Sequence, residues 1–548
     1  MDWWKNSIAY QIYPKSFKDS NNDGKGDIRG IISKLNYLKD LGVDLIWISP
    51  IYSSPMKDNG YDVSDYYAID KTYGSMEDFD ELLEHAHERN MRVVMDLVIN
   101  HTSNEHPWFV ASSSSKENEY RNYYYWRDGK NGGEPNNWAG YFHETTWTYD
   151  KKTDQYYLGL FSPYQPDLNW ENPAVRKDLY KMINWWLDNG LDGFRLDAIN
   201  LISKIPGLPN NQPKEGENYV FDHTKFVDGP RVHEYFREMN QRTFSNHDCV
   251  AIGECGYVNP KKAVEFTDRD RGELDMVFTF EHTDYYKAFG KNPKKLKEII
   301  TNWQKELHNK GWSGICFSNH DLPRIVTSFG HEEQYRQASA KLFATLLLTL
   351  EGTPFIYQGD ELGLPDTRYE AIEDYDDISA KKLYGEKKHW GMDETTIMKE
   401  VQKHGRDRSR SPMHWDNSQF LGFSKVQPWI KPNTECSDIN VSNSLKHSDS
   451  VLNYYKEMIK IRKINPTLVF GNYELLDSQD EIFAFRRFDE QGDFLIILNI
   501  SETENDFLDS LLSKNSLKMV INNYLKDFSI NQNTIHLKPY QAIVLQLY

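Results

Sequence analysis

The sequence predicts an α/β protein: a (β/α)8 TIM barrel, with a loop domain inserted after its third strand and an antiparallel β-sandwich at its C-terminal end. Three observations carry this expectation. Short apolar, β-branched runs alternate with stretches of helical period through most of the 548 residues. Three of those runs stop on a carboxylate, as GFRLDA at 193–198, VAIGE at 250–254 and FSNHD at 317–321. From about residue 470 the pattern turns into closely spaced strand-like segments without intervening helices.

Taken in order, the strands are expected at 8–13, 43–49, 92–99, 191–197, 249–254, 275–280, 313–318 and 353–358. Helical patterns fall between them at 28–41, 76–90, 172–189, 230–242, 293–308 and 332–350. Ser75-Met-Glu-Asp has the form of a helix cap, and Asn172-Pro173 places a proline where a first helical turn tolerates it. Residues 102–170 are rich in Asn, Gly, Trp and Tyr and carry little helical period, which suits a small domain laid over the barrel rim. The polar stretch 364–432, with helical pieces, is expected beside the barrel mouth. The C-terminal strands are YELL, IFAFRRF, DFLIILNI, SLKMVINNY, TIHLK and AIVLQLY. The domain division is therefore 1–101 with 170–469 for the barrel, 102–169 for the insertion and 470–548 for the β domain.

Composition narrows the function. A formal charge of −18 argues against nucleic acid, which demands clustered Lys and Arg, and against anionic membrane surfaces. Four cysteines, none in a CxxC pair, do not make a disulfide framework. The N-terminus lacks a basic-then-apolar leader pattern, and no apolar run approaches the ~20 residues that span a bilayer. These features predict a cytoplasmic protein, a monomer or small homo-oligomer, whose partners are small molecules. Aromatic residues reach 14%, which serves either core packing or the stacking of sugar rings.

The strand ends carry the chemistry. In a parallel barrel the C-terminal ends of the strands converge on one rim, so Asp197, Glu254 and Asp321 are expected to face one substrate. Three acids in one pocket suit cleavage of a glycosidic bond: one attacks, one protonates and one stabilises. Arg195 shares a strand face with Asp197 and would keep a neighbouring carboxylate ionised; read alone, the two are equally a structural ion pair. Glu254 is the candidate acid, its affinity for a proton raised by burial and by a nearby anion. His101 and His320 stand at the ends of the third and seventh strands, where they would donate to sugar hydroxyls. Asp19, Asn21, Asp23 and Asp27, with the Lys25 carbonyl and a turn at Gly24, have the spacing of a stand-alone Ca2+ loop; the alternative is a polar turn.

These blocks resemble the α-amylase family of glycoside hydrolases. DLVINH at 96–101, GFRLDA, the Gly-Glu at 253–254 and FSNHD look like its four signature segments in order, and Gln165-Pro-Asp-Leu-Asn169 resembles the block marking its oligo-1,6-glucosidase and α-glucosidase branch. DNGYD at 58–62, YQGDELG at 357–363 and RSPMHW at 410–415 extend the likeness along nearly the whole chain. The resemblance implies Asp197 as nucleophile, Glu254 as acid/base and Asp321 as stabiliser of the transition state. It implies that His101, Arg195 and His320 line the subsite for the non-reducing glucose, that Tyr61 stacks on that sugar, and that Asp58 pairs with Arg410 to close the subsite. Phe142, Phe161 and Gln165 match positions at its entrance, and structural calcium at 19–27 is expected. The implied activity is a retaining, exo-acting α-glucosidase on short oligosaccharides, with some transfer and no organic cofactor.

The chain departs from the family pattern around the entrance. Ala198 follows the nucleophile; similar enzymes with valine there cleave α-1,6 bonds, and those with a smaller residue cleave α-1,4. Gly159 stands where relatives carry histidine, Phe142–Trp147 replaces a Gly/Ser-rich run, Ser162-Pro-Tyr replaces a basic pair, and Arg408 stands where asparagine is usual. Trehalose-6-phosphate hydrolysis would require a basic pocket, for which Lys57 and Arg408 are the candidates. Sucrose isomerisation would require an Arg/Asp-rich loop that RIVTSFGHEEQYR at 324–336 does not match. A non-catalytic binding homologue would have lost the acids, and all three are present.

Overall fold

The architecture is drawn from a computed structural model that describes residues 2–524 and 529–548. Eight parallel strands close into a barrel: β1 (Ala9–Ile12), β2 (Leu45–Ile48), β3 (Arg92–Val98), β4 (Gly193–Asp197), β5 (Val250–Gly253), β6 (Met276–Phe278), β7 (Ser313–Cys316) and β8 (Thr353–Tyr357). Neighbours follow chain order, and β1 seals the barrel by pairing with both β2 and β8. All eight lie inside the segments expected from the sequence. Their inward side chains, among them Leu45, Trp47, Val94, Ile252, Met276, Phe278 and Phe355, fill the lumen, so the barrel is a packed core and not a channel.

Helices cover the outside, and local chemistry sets their ends. The helix Met76–Glu88 begins with a reciprocal cap: Ser75 Oγ accepts from the Asp78 amide at 3.3 Å, and Asp78 accepts from the Ser75 amide at 2.9 Å. Pro173 opens the helix Pro173–Asp188, with Asn172 accepting from the Ala174 amide. The pattern at 28–41 resolves into two helices, Ile28–Ile32 and Leu35–Leu41.

Between β3 and β4 lies a three-stranded antiparallel sheet formed by Trp126–Arg127, Trp147–Asp150 and Gln155–Leu158. Its core of Tyr125, Trp138, Trp147, Leu158 and Leu160 is completed by Leu201, Leu208, Phe226 and Val227 from the chain that follows β4. The insertion is thus pinned to the catalytic strand's own loop, and Phe161 and Ala198 pack at the edge of the same cluster. Within 364–432, the helices Ile378–His389 and Glu394–His404 gather around Tyr369, Tyr375, Ile397 and Val401.

The C-terminal domain is a sandwich of antiparallel sheets. One has five strands, Asn472–Leu475, Ile482–Phe488, Asp493–Asn499, Leu517–Asn522 and Ala542–Leu547; the other has three, Asn505–Leu508, Ile530–Asn531 and Thr534–Leu537. Ile482, Leu495, Ile543 and Leu545 from the first pack on Phe507, Ile535 and Leu537 from the second. Asn505–Leu508 and Ile530–Asn531 were not expected; both are short and polar and lack the apolar alternation that marks the other strands.

Candidate active site

The site is assembled at the C-terminal rim around one arginine. Arg195 is fully buried on β4, directly opposite Asp96 of β3 in the strand register. Its Nη1 contacts Asp96 and lies 2.7 Å from Asp197 Oδ1, and its Nη2 lies 2.6 Å from Glu254 Oε1. The pairing of β3 with β4 explains the first contact and alternation along β4 the second, since residues two apart share a face. The third arises because Glu254 sits one residue beyond β5, whose Ile252 pairs with Arg195. Backbone bonds lock this corner: the Glu254 amide donates to the Leu196 carbonyl at 2.9 Å, and the Ile199 amide to the Glu254 carbonyl at 3.0 Å. The Ala198 amide donates to Glu254 Oε2 at 3.0 Å, with Ala198 itself in the left-handed region at φ 43°.

Asp321 is held by different cations. Arg410 Nη2 lies 2.5 Å from Asp321 Oδ1 and its Nε donates to the His320 carbonyl at 2.8 Å, while Arg406 Nη1 approaches Asp321 to 3.6 Å. The side chains of Asp197, Glu254 and Asp321 remain 10%, 21% and 31% exposed, so all three face the open cleft and not the core.

Their environments separate their proton affinities. Burial pushes Glu254 up to about 7, with Arg195 opposing and the Asp197 and Asp321 charges adding to the rise. Burial also pushes Asp197 up to about 6 against the pull of Arg195. Burial acts on Asp321 too, but His320, Arg406, Arg410 and Arg195 outweigh it and hold the carboxyl well below the usual range. Because burial drives His320 down to about 3, that ring is neutral near pH 7 and the arginines keep Asp321 ionised.

The expected subsite residues surround these acids. Tyr61 Oη lies 2.6 Å from His320 Nε2 and donates to Asp96 at 3.2 Å; the Tyr61 and His320 rings are parallel within 1°, with centroids 5.5 Å apart. His101 Nε2 lies 3.0 Å from the Tyr61 carbonyl and 3.3 Å from Gln165 Nε2, and burial lowers its pKa. Gln165 donates to Asp58 at 3.1 Å. Phe161 packs on His101, and Phe142 on Phe161, at centroid distances of 4.9 and 5.9 Å.

One expected pairing is corrected. Asp58 does not meet Arg410, whose guanidinium is taken up by Asp321 and the His320 carbonyl. Its partner is Arg406, at 2.9 Å; Arg406 also binds Asp377 at 2.7 Å and lies over the Phe142 ring at 4.8 Å. Arg406 and Arg410 sit at either end of the turn Arg406–Ser409, which sends one to the pocket wall and the other to the stabilising acid. Arg406 and Asp377 were missed because they lie in the irregular 364–432 segment, outside the RSPMHW block. Asp96 was missed although an acid inside the apolar run VVMDLVI is itself a signal. Trp47, which donates to Asp96 at 3.0 Å, and Gln11, whose Nε2 lies 2.7 Å from His320 Nδ1, carry no signal beyond their place in strands.

Beyond the acids a cleft of ≈ 280 Å³ opens between Phe161, Ala198, Asn200, Tyr257, Phe280 and Leu322. At Gly159 a side chain would meet the Ser162 carbonyl at 2.7 Å from its Cβ, so the 159–165 turn as folded has no room for one. Of the two basic residues considered for a phosphate pocket, Arg408 is buried beside Asp366 at 3.5 Å, and Lys57 lies over the Tyr164 ring at 5.7 Å.

At the 19–27 loop, Gly24 adopts φ 89° as the turn requires. Asp19 accepts from the amides of Asn22 and Gly24 and from Ser424 Oγ, and Asp27 accepts from Ser20 and the Gly30 amide. Asn21 and Asp23 accept from the amides of Asp23 and Lys25. The donor set is all oxygen, the kind a hard cation takes, but these oxygens are turned to amides and hydroxyls. Among the described residues no group of three or more His, Cys, Asp or Glu side chains is gathered as a metal site.

Comparison with known proteins places this geometry. Residues 11–471 match the model of the α-amylase catalytic domain. The oligo-1,6-glucosidase of Bacillus cereus is 47% identical over 555 residues, spanning 100% of this chain and 99% of that protein. The solved trehalose-6-phosphate hydrolase of Bacillus licheniformis is 42% identical, with a TM-score of 0.92 over 100% of both chains. The isomaltulose synthase structure from Klebsiella sp. LX3 is 40% identical, with a TM-score of 0.94 over 100% of this chain and 99% of that one. The chain therefore belongs to the α-amylase family and is a glycoside hydrolase.

Proposed function

We propose that this enzyme is a retaining, exo-acting α-glucosidase that releases glucose from the non-reducing end of short α-1,6- and α-1,4-linked oligosaccharides. The observation that carries the reading is the separation of three acids around one rim: Glu254 near neutrality, Asp197 lower, and Asp321 held ionised by Arg406 and Arg410. In the first step the Asp197 carboxylate attacks the anomeric carbon while Glu254 passes its proton to the departing glycosidic oxygen, leaving a glucosyl ester on Asp197. In the second, Glu254 takes a proton from water, the water oxygen attacks the same carbon, and the ester bond to Asp197 breaks. A sugar hydroxyl in place of water yields a transferred glucoside. One guanidinium touching both Asp197 and Glu254 supports retention, which needs the two carboxyls about 5–5.5 Å apart.

Exo action is supported by Asp58, Arg406, Asp377 and Gln165, which are tied together by ion pairs and a hydrogen bond on the side of the pocket where the sequence places the closing residues of the glucose subsite. The α-1,6 preference rests on the likeness to oligo-1,6-glucosidases, and the α-1,4 component on Ala198. Arg408, buried beside Asp366, is not free to take a phosphate, which favours a neutral sugar over a phosphorylated one. A cytoplasmic location is supported by four cysteines that are all free thiols, and no described helix is long and apolar enough to cross a membrane.

We also assign calcium to the 19–27 loop in a structural role. Asp19, Asn21, Asp23, Asp27 and the Lys25 carbonyl would hold it by turning inward from their present hydrogen bonds, none of which involves the three acids.

Four outcomes test these assignments. Asp197→Asn should lower kcat on a nitrophenyl α-glucoside by at least about a thousandfold, as loss of a nucleophile does; unchanged kcat removes Asp197 from the mechanism. The pH profile of kcat/KM should be a bell. Activity is lost as pH falls through about 6, where Asp197 takes up its proton, and as pH rises through about 7, where Glu254 gives its proton up. A plateau from pH 5 to 9 would reject that division of roles. Ala198→Val should raise the isomaltose-to-maltose ratio of kcat/KM by roughly tenfold, within the range one or two methyl groups command. It should also cost about 1–2 kcal/mol of stability, because a β-branched residue is forced to φ 43°. Added Ca2+ should raise Tm by a few degrees and EDTA should reverse it with kcat unaltered; identical melting curves would leave 19–27 as a polar turn.

A further inference from the structure

The cleft in front of the acids contains one cation that the mechanism does not use. Lys287 lies on the helix Glu281–Phe289, the first element after β6, and lines the cleft together with Glu254 and Asp321. It is half-buried, yet its ammonium makes no hydrogen bond or ion pair with any described residue. Several other lysines withdrawn from solvent are satisfied. Lys204 binds Asp167 at 2.7 Å, Lys297 donates to the carbonyls of Gln479 and Ile482 at 2.9 and 3.1 Å, and Lys291 donates to the Gly330 carbonyl at 2.9 Å. A partly desolvated ammonium without a partner is costly, and such a group at a cleft is satisfied by what binds there.

The surroundings say what that is. Asp284, one helical turn earlier, lines the same cleft and supplies an acceptor beside the donor. Burial lowers the Lys287 pKa and Asp284 works against that fall. Phe280, Tyr257 and Leu322 provide apolar surface around the pair. An anionic ligand would face the Asp284 and Asp321 carboxylates, and the nearby guanidinium of Arg408 is committed to Asp366. A neutral polyol meets no such repulsion and can both accept from an ammonium and donate to a carboxylate.

We propose that Lys287 is a specificity-determining residue of the leaving-group subsite, donating to hydroxyls of a neutral sugar with Asp284 as the companion acceptor. The inference rests on the α-glucosidase reading above. The subsite binds the departing sugar before cleavage, and it is equally the place where an acceptor sugar is held during transfer.

The test compares isomaltose and maltose with p-nitrophenyl α-glucoside, whose leaving group lacks hydroxyls, in the wild type, Lys287→Met and Lys287→Arg. Lys287→Met should lower the ratio of kcat/KM on isomaltose to that on the nitrophenyl substrate by about tenfold, the value of one charge-assisted hydrogen bond. The change should be mainly in KM, and Lys287→Arg should recover part of it. Transfer to glucose should fall in parallel with the isomaltose ratio. An equal fall on all substrates, or no change in the ratio, overturns the assignment. So does wild-type turnover of trehalose-6-phosphate faster than isomaltose with selective loss in Lys287→Met, which would make the ligand an anion. Absence of any wild-type activity on p-nitrophenyl α-glucoside would instead reject the α-glucosidase reading itself.

Discussion

The site depends on one buried guanidinium. Arg195 has no exposed surface, and three carboxylates converge on it from three adjacent strands. Removing a charge of this kind from water costs several kcal/mol, which is repaid only when the partners are close and well placed. Here the strand register supplies the placement: Asp96 and Ile252 flank Arg195 on either side, and Glu254 follows two residues later. One positive charge cannot neutralise three negative ones. With all three acids ionised the cluster would carry two uncompensated charges in a poorly hydrated pocket, so it retains protons in the neutral range. Glu254 holds its proton most strongly, up to about 7, because burial penalises its charge and a guanidinium shared among three acids does not offset that penalty.

Asp321 shows the opposite balance a short distance away. Arg406 and Arg410 bring two cations to its side of the pocket, and His320 is kept neutral by burial. A carboxylate that must stay ionised to stabilise positive charge at the anomeric carbon is thus supplied with excess cation, while the acid that must stay protonated is not. The neutral His320 is left as a hydrogen-bonding part of the scaffold, aligned with Tyr61 and Gln11.

Legibility in the sequence follows the same division. The barrel strands could be read because each is a short apolar run bounded by polar turns, and the acids because they end those runs: Asp197, Glu254 and Asp321 fall where strand ends converge. Arg195 could be read from the two-residue alternation of β4. What could not be read was set by loops. The partner of Asp58 is Arg406, in a segment whose path depends on the packing of Tyr369, Tyr375, Ile397 and Val401 and on no periodic pattern. Asp96 was hidden for another reason: in sequence it is one acid in an apolar run, and only the pairing of β3 with β4 shows that it opposes Arg195. Most of the tryptophans proved structural, with Trp47, Trp138, Trp170 and Trp186 fully buried, whereas the cleft is lined by Phe and Tyr from the insertion and the loops.

The two halves of the pocket are consequently under different physical constraints. Behind the acids, the glucose site is walled by ion pairs whose geometry is over-determined, because moving Asp58, Arg406 or Asp377 would strand the others as unpaired buried charges. In front of them, the leaving-group side is shaped by Ala198 in a left-handed turn, by the closed 159–165 segment and by Lys287, which has no hydrogen-bond or ion-pair partner among the described residues. Their side chains stand outside the ion pairs that join Asp58, Arg406 and Asp377. A chain can therefore keep its specificity for α-glucose while its preferred linkage and leaving group drift, and the likeness at once to an oligo-1,6-glucosidase, a trehalose-6-phosphate hydrolase and an isomaltulose synthase that takes sucrose is what such a division of constraints produces.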